Sequence, residues 1–183
     1  MHSHSNYSRR RVLLHWLSAG IILWALVSGF YIAYNPVSAA TEHWVGSLNV
    51  SLTTVFIPLF VWRSWLFICA SKTCGTVLSL TKRLALAVHT LIYLSIGVVL
   101  VTGVLMMKSA ISVFGLVRIP RPLDDPSLIQ LANTVHTQSC VVLSTLIALH
   151  LCAVLWHELS GRRVVRRMSF AKRAGATLER AQR

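Results

Sequence analysis

The sequence predicts an all-α fold, a four-helix transmembrane bundle with both termini on the cytoplasmic side. Three observations carry that expectation. First, 55% of the 183 residues are hydrophobic and only 13% are charged, a balance that soluble domains of this length rarely show. Second, four apolar segments, about 12–33, 45–68, 84–107 and 135–156, stand out along the chain. Each supplies the roughly 20 helical residues that a hydrocarbon core of about 30 Å demands. Backbone inside lipid must satisfy itself, so such segments are helices. Third, the charge is one-sided. Arg9, Arg10, Arg11, Arg63, Lys72, Lys82, Arg83 and the eight basic residues from Arg162 to Arg183 share one side of a four-span arrangement. Only Lys108, Arg118 and Arg121 fall on the other, beside Glu42, Asp124 and Asp125. With 15 basic residues against 3, the positive-inside rule places both termini in the cytoplasm.

The same distribution explains the net charge of +13. The basic tail over 169–183 reads as a topology signal that also touches anionic lipid head groups. Nucleic-acid binding is not expected, because no aromatic or groove-reading motif accompanies it. Residues 1–168 form one membrane domain, with no internal repeat and no low-complexity linker.

The first segment opens on Ser8-Arg9-Arg10-Arg11, which imitates a secretory or twin-arginine signal. Its apolar run of about 22 residues is longer than a usual signal core, and it carries His15 and Trp16. A membrane span is the better reading. His15 lies four residues beyond Arg11, about 6 Å inside the interface. The short Asn35–Thr41 loop makes segments one and two antiparallel neighbours. Segment two opens with Glu42-His43-Trp44 and closes near Arg63, with Asn49 in its upper half and Pro58 inside it.

Cys69 and Cys74 are not spaced as a CxxC and fall in a reducing compartment, while Cys140 and Cys152 sit in segment four. No disulfide or metal is assigned to any of them. Segment three carries His89 one turn before Tyr93, and Gly97 and Gly103 allow close approach of a helix or a flat macrocycle. The loop from Lys108 to Asn133 is the longest, and its apolar half is expected to lie on the bundle as a partial cap.

Segment four holds His136, His150 and His157 in an otherwise apolar run. Fourteen residues turn a helix about 1400°, roughly 40° short of four turns, and rise about 21 Å. His136 and His150 therefore share a face at two depths. Buried imidazoles in lipid need partners. Threading the four helices sorts the histidines into a periplasmic layer, His43 and His136, and a cytoplasmic layer, His15, His89, His150 and His157. Paired imidazoles from facing helices are what a six-coordinate b-type haem requires. No C-x-x-C-H is present, so covalent attachment is excluded.

The residues also resemble a family. His15-Trp16, His89-x3-Tyr93 with Gly103, Ile111–Gly115 (ISVFG), His136-x13-His150 with His157, and Arg166–Met168 (RRM) resemble the bacterial cytochrome b561 family. That family groups di-haem membrane cytochromes related to the cytochrome b subunits of hydrogenases and formate dehydrogenases. The resemblance spans about 7–168 and implies a bacterial inner-membrane protein with two haem b groups. It makes His15 and His150 the iron ligands of the cytoplasmic haem and His136 one ligand of the periplasmic haem. It leaves His89, His157, Arg9 and Arg63 as quinone or propionate candidates.

Segment two departs from the family pattern, in which the ligand precedes a glycine by four and an arginine by fourteen. Fourteen before Arg63 stands Asn49, and His43 lies six residues earlier. Depth counting from Arg63 and His157 favours His43 as the partner of His136. Alignment on Arg63 instead leaves one haem short of a ligand, five-coordinate or absent. The function expected is electron transfer between the ubiquinone pool and a periplasmic donor or acceptor. Superoxide:ubiquinone oxidoreductase and a subunit of a larger dehydrogenase are the alternatives within that class. A haem-free transporter or assembly factor is the alternative outside it. The partners expected are lipid, quinone and a periplasmic redox protein or superoxide, and a homodimer is compatible with all of these readings.

Overall fold

The structure, a computed structural model, describes residues 9–72 and 80–161. Four helices follow in order: α1 Arg9–Tyr34, α2 Ala39–Lys72, α3 Leu80–Leu105 and α4 Pro126–Leu159. Each is long and apolar enough to cross a membrane. A two-stranded antiparallel hairpin, β1 Ile111–Val113 and β2 Val117–Ile119, stands between α3 and α4. The tail from Arg162, the Arg166–Met168 motif and Cys74 lie outside the described residues, and so does the side chain of Arg9.

Two helices begin earlier than hydropathy predicted. Segment four was expected to start near 135, but α4 starts at Pro126. Asp125 caps it: its carboxylate accepts from the Ser127 amide at 2.8 Å and the Ser127 hydroxyl at 2.7 Å. Pro126 then fills a first-turn position where no N–H is needed. The expected loop from Lys108 to Asn133 is therefore corrected to a hairpin followed by the opening turns of α4. Likewise Ser38 accepts from the Thr41 amide at 3.2 Å and starts α2 at Ala39 rather than near 45. Hydropathy marks where lipid-compatible sequence begins; polar caps decide where the helix begins.

The hairpin is bolted to α2 by one buried hydroxyl. Phe114 and Gly115 have φ of 49° and 74°, and the Leu116 amide donates to the Val113 carbonyl at 3.0 Å. Positive φ at both central residues is what a type I′ turn requires. Glycine meets that demand freely, whereas Phe114 needs support. Its amide donates to Ser51 Oγ at 2.9 Å, and Ser51 Oγ reaches the Ser47 carbonyl at 2.8 Å and the Ser112 carbonyl at 3.3 Å. Ser51 is 1% exposed. Ile111, equally buried, drops from β1 into the top of the bundle. The apolar half of this segment thus caps the bundle, as its composition suggested.

Packing is pairwise. α3 lies most extensively on α4 and α1 on α2, with α2 bridging more lightly to α3. The pairs meet around Phe56, Ile96, Leu100 and Leu143. Large apolar side chains such as Val27, Val101 and Leu155 remain exposed, as expected of surfaces that face hydrocarbon rather than water. Ser18, Ser28, Ser51 and Thr102 are buried, and each donates to a carbonyl four residues back in its own helix. Those hydroxyls are satisfied locally.

Two outcomes follow for the hairpin end. Ser51→Ala removes the partner of the part-buried Phe114 amide and should cost about 1 kcal/mol of stability, read as a lower unfolding midpoint in detergent and faster exchange of that amide. The Asp125 carboxyl is held below its ordinary pKa first by the Ser127 hydroxyl and then by the Ser127 amide. Its capping contribution is therefore full above the unfolded value and lost as pH falls through the depressed one. Asp125→Ala should speed amide exchange in the first turn of α4 at neutral pH and erase that pH dependence.

Candidate functional site

The polar side chains inside the bundle collect at two levels. At the hairpin end a cavity of about 400 Å³ lies between the α1–α2 pair and the α3–α4 pair. Its size falls within the range of small-molecule and cofactor sites. The walls are almost wholly apolar. Gly29, Gly46 and Gly103 line it, with Asn49 from α2 and His136 from α4.

His136 is held by α3. Its Nδ1 lies 3.1 Å from the Val99 carbonyl and 3.3 Å from Thr102 Oγ1. A Cβ at Gly103 would stand 3.2 Å from His136 Cε1, so the ring occupies the space a side chain would need. A carbonyl only accepts, so Nδ1 carries the proton and the Nε2 lone pair is left available. Among the described residues Nε2 has the Cys140 Sγ as its hydrogen-bond partner, at 3.5 Å. A carbonyl on Nδ1 is the kind of contact that fixes the tautomer of a histidine able to ligate a metal through Nε2.

Asn49 contributes the polar group on the α1–α2 side. Its Nδ2 donates to Ser28 Oγ at 2.9 Å, while the Ser28 hydroxyl donates to the Trp24 carbonyl at 2.6 Å or to Asn49 Oδ1 at 3.0 Å. Nothing in the sequence marked Ser28, which is 21 residues from its partner.

The second level is built on Arg63. Its Nη2 lies 2.9 Å from His15 Nδ1, and its Nε donates to the Tyr93 hydroxyl at 2.9 Å. The guanidinium carbon also stands 5.3 Å from the Tyr93 ring centre, and that ring stacks with Phe60 and Phe67. One turn below Tyr93, the His89 ring meets the His150 ring edge-on at 5.1 Å. His89 Nδ1 donates to the Ala85 carbonyl at 2.6 Å. His15 lies at the same level as His89 and His150. Helices α1, α2, α3 and α4 thus each send one or more polar side chains to this level. His157 is two turns further down α4, and its buried Nδ1 has no partner among the described residues.

These contacts give a different set of levels from the depth count that favours His43. That count set Arg63 level with His157. In the structure Arg63 bonds Tyr93, one turn above His89, which meets His150, two turns above His157. Arg63 is therefore about three turns, or about 16 Å, too deep to share a level with His157. A second ruler agrees. Gly97 faces Phe60, so Gly103, six residues higher on α3, is level with about Thr54 on α2. His43 is eleven residues beyond Thr54, about 16 Å further toward the hairpin end. It is exposed and does not line the cavity. His136 and His43 are not brought together; the α2 side chains that share the cavity with His136 include Asn49, Thr53 and Thr54.

Compared with known families, residues 6–171 match the profile of prokaryotic cytochrome b561. The chain belongs to the prokaryotic cytochrome b561 family. It is a multi-pass protein of the bacterial inner membrane, a haem b electron-transfer protein in contact with lipid and with redox partners. No curated protein matches the chain.

The residues present fit haem b at both levels, unequally. At the hairpin end the cavity, its glycines and the unprotonated Nε2 of His136, where only the weak Cys140 thiol contact would have to yield, suit a macrocycle held from α4. At the other end the donors are imidazoles on α1 and α4. There Arg63 donates to His15 Nδ1, which puts the neutral ring's proton on Nε2. Ligation through Nε2 requires that hydrogen bond to open, freeing the guanidinium for a carboxylate such as a haem propionate. Gly103→Val should drive the His136 ring off the Val99 carbonyl and lower haem bound per chain, measured as pyridine haemochrome on purified protein.

Proposed function

We propose that this cytochrome carries electrons across the membrane between the quinone pool and a periplasmic partner, with both termini in the cytoplasm. The carrying observation is the spacing on α4. His150 stands in the Arg63 cluster and His136 in the cavity, fourteen residues or about 21 Å apart along one helix. Two haem b groups at those levels would supply one-electron exchange when bound. In this reading His15 and His150 ligate the cytoplasmic haem and His136 ligates the periplasmic one.

The chain's own residues have separable tasks. Val99 and Thr102 orient His136. Arg63 offers positive charge beside the cytoplasmic pair, and Tyr93 holds it there through its hydroxyl. His89, with Nδ1 committed to the Ala85 carbonyl, sets its ring edge-on against His150. His157 carries an unpartnered Nδ1 toward the cytoplasmic surface, where a quinone head group needs a hydrogen-bond donor or proton carrier. These groups support a reading in which ubiquinone is the substrate at this end.

A general quinone-linked cytochrome is favoured over a superoxide-specific one by charge. At the hairpin end Lys108, Arg118 and Arg121 are balanced by Glu42, Asp124 and Asp125. Arg121 is moreover paired with Asp124 at 2.7 Å. A surface without net charge does not steer an anion.

Purified from haem-replete cells, the protein should be red, with a b-type α band in the dithionite-reduced minus oxidised spectrum. A colourless preparation would overturn the reading. His150→Ala should remove the cytoplasmic haem and leave the signal of the other; unchanged haem content would refute that ligand assignment.

A further inference from the structure

The cavity at the hairpin end offers one imidazole and no second strong iron ligand on the facing wall. His136 stands on α4 against Val99 of α3, and Met106 and Met107 follow directly after the end of α3, on the side on which His136 rests. The α1–α2 side presents the Asn49 amide and the hydroxyls of Thr53 and Thr54. Both threonine hydroxyls are spent on carbonyls of their own helix, Thr53 on Asn49 at 2.7 Å and Thr54 on Val50 at 2.7 Å. Asn49 is different. One hydrogen of Nδ2 goes to Ser28, and an amide nitrogen has two. The second is left over, on a side chain that lines the cavity and is anchored in place by Ser28.

We propose that this cavity is a binding site for a small neutral diatomic molecule. The inference rests on haem b being carried by His136, as in the function proposed above. A haem seated on His136 alone would keep one axial position without a protein ligand. The surrounding wall would be apolar except for a single anchored amide N–H. A neutral diatomic suits that wall, because the wall demands little hydrogen bonding and one N–H can polarise the bound molecule. An anion would have to be desolvated into an apolar cavity with no charged side chain lining it, and a reduced haem core, being neutral, would not offset that cost. The other haem, with imidazoles available from α1 and α4, would have no free position. The two sites would then differ in kind: one closed for electron transfer, one open to a ligand.

Carbon monoxide is the probe. Haem per chain is measured by pyridine haemochrome, and the dithionite-reduced protein is titrated with carbon monoxide and followed by its difference spectrum. The expected result is two haems per chain, of which one binds carbon monoxide. His136→Ala should retain one haem and lose the carbon monoxide spectrum. Asn49→His should keep two haems and lose that spectrum, because an imidazole would then occupy the open side. His43→Ala should change neither quantity. Two haems with no carbon monoxide binding would overturn the inference, showing that a methionine or His43 closes the site. One haem per chain, inert to carbon monoxide, would also overturn it while leaving the electron-transfer reading standing. Protein with no haem at all would overturn that reading instead.

Discussion

A guanidinium inside an apolar bundle has to be paired, and Arg63 is the residue whose pairing sets the register of the helices. Charged groups at membrane depth are expensive enough that their partners are rarely incidental. Arg63 reaches back to His15 on α1 and across to Tyr93 on α3. Those two contacts fix how far α1 and α3 slide against α2. The aromatic clasp of Phe60 and Phe67 on the Tyr93 ring holds the same register from the apolar side. Ser28 with Asn49 repeats the α1–α2 register about 21 Å higher, since fourteen residues separate Asn49 from Arg63. Once these are set, the depth of each histidine on the four helices is decided.

The hairpin end is organised by absence of side-chain volume rather than by charge. Gly29, Gly46 and Gly103 leave room between two helix pairs that otherwise touch through Phe56, Ile96, Leu100 and Leu143. At Gly103 the room is taken by the His136 ring, which buys that histidine a fixed tautomer through the Val99 carbonyl. The roof is the ISVFG hairpin. Its strained Phe114 is tolerated because the buried Ser51 hydroxyl receives the Phe114 amide. Function-bearing and fold-bearing contacts are interleaved along α2, where Asn49 faces the cavity and Ser51 faces the hairpin.

Much of this could be read in the chain before any coordinates. The fold class, the four spans and the grouping of His15, His89 and His150 follow from hydropathy and helical spacing, because lipid leaves so few ways to satisfy a backbone. His136 and His150 on one helix, fourteen residues apart, needed only the helical rise. What misled was the use of Arg63 as an interface marker. Arginine near the end of an apolar run ordinarily snorkels outward; this one turns inward to His15 and Tyr93, and the ruler shifted by about three turns. By that ruler His43 stood level with His136; the structure has it exposed and outside the cavity lining. Caps were also underread: Asp125-Pro126 and Ser38 lengthened α4 and α2 beyond what hydropathy marks.

The sequence by itself determined that this protein is a membrane bundle with histidines at two depths on one helix, because hydrophobic length and helical period are local properties. Only the tertiary structure decided which groups face those histidines. Relative helix register depends on contacts between residues such as Arg63 and Tyr93, 30 positions apart in the chain, and no periodicity within a segment encodes it. That register sets Asn49, and not His43, in the cavity with His136.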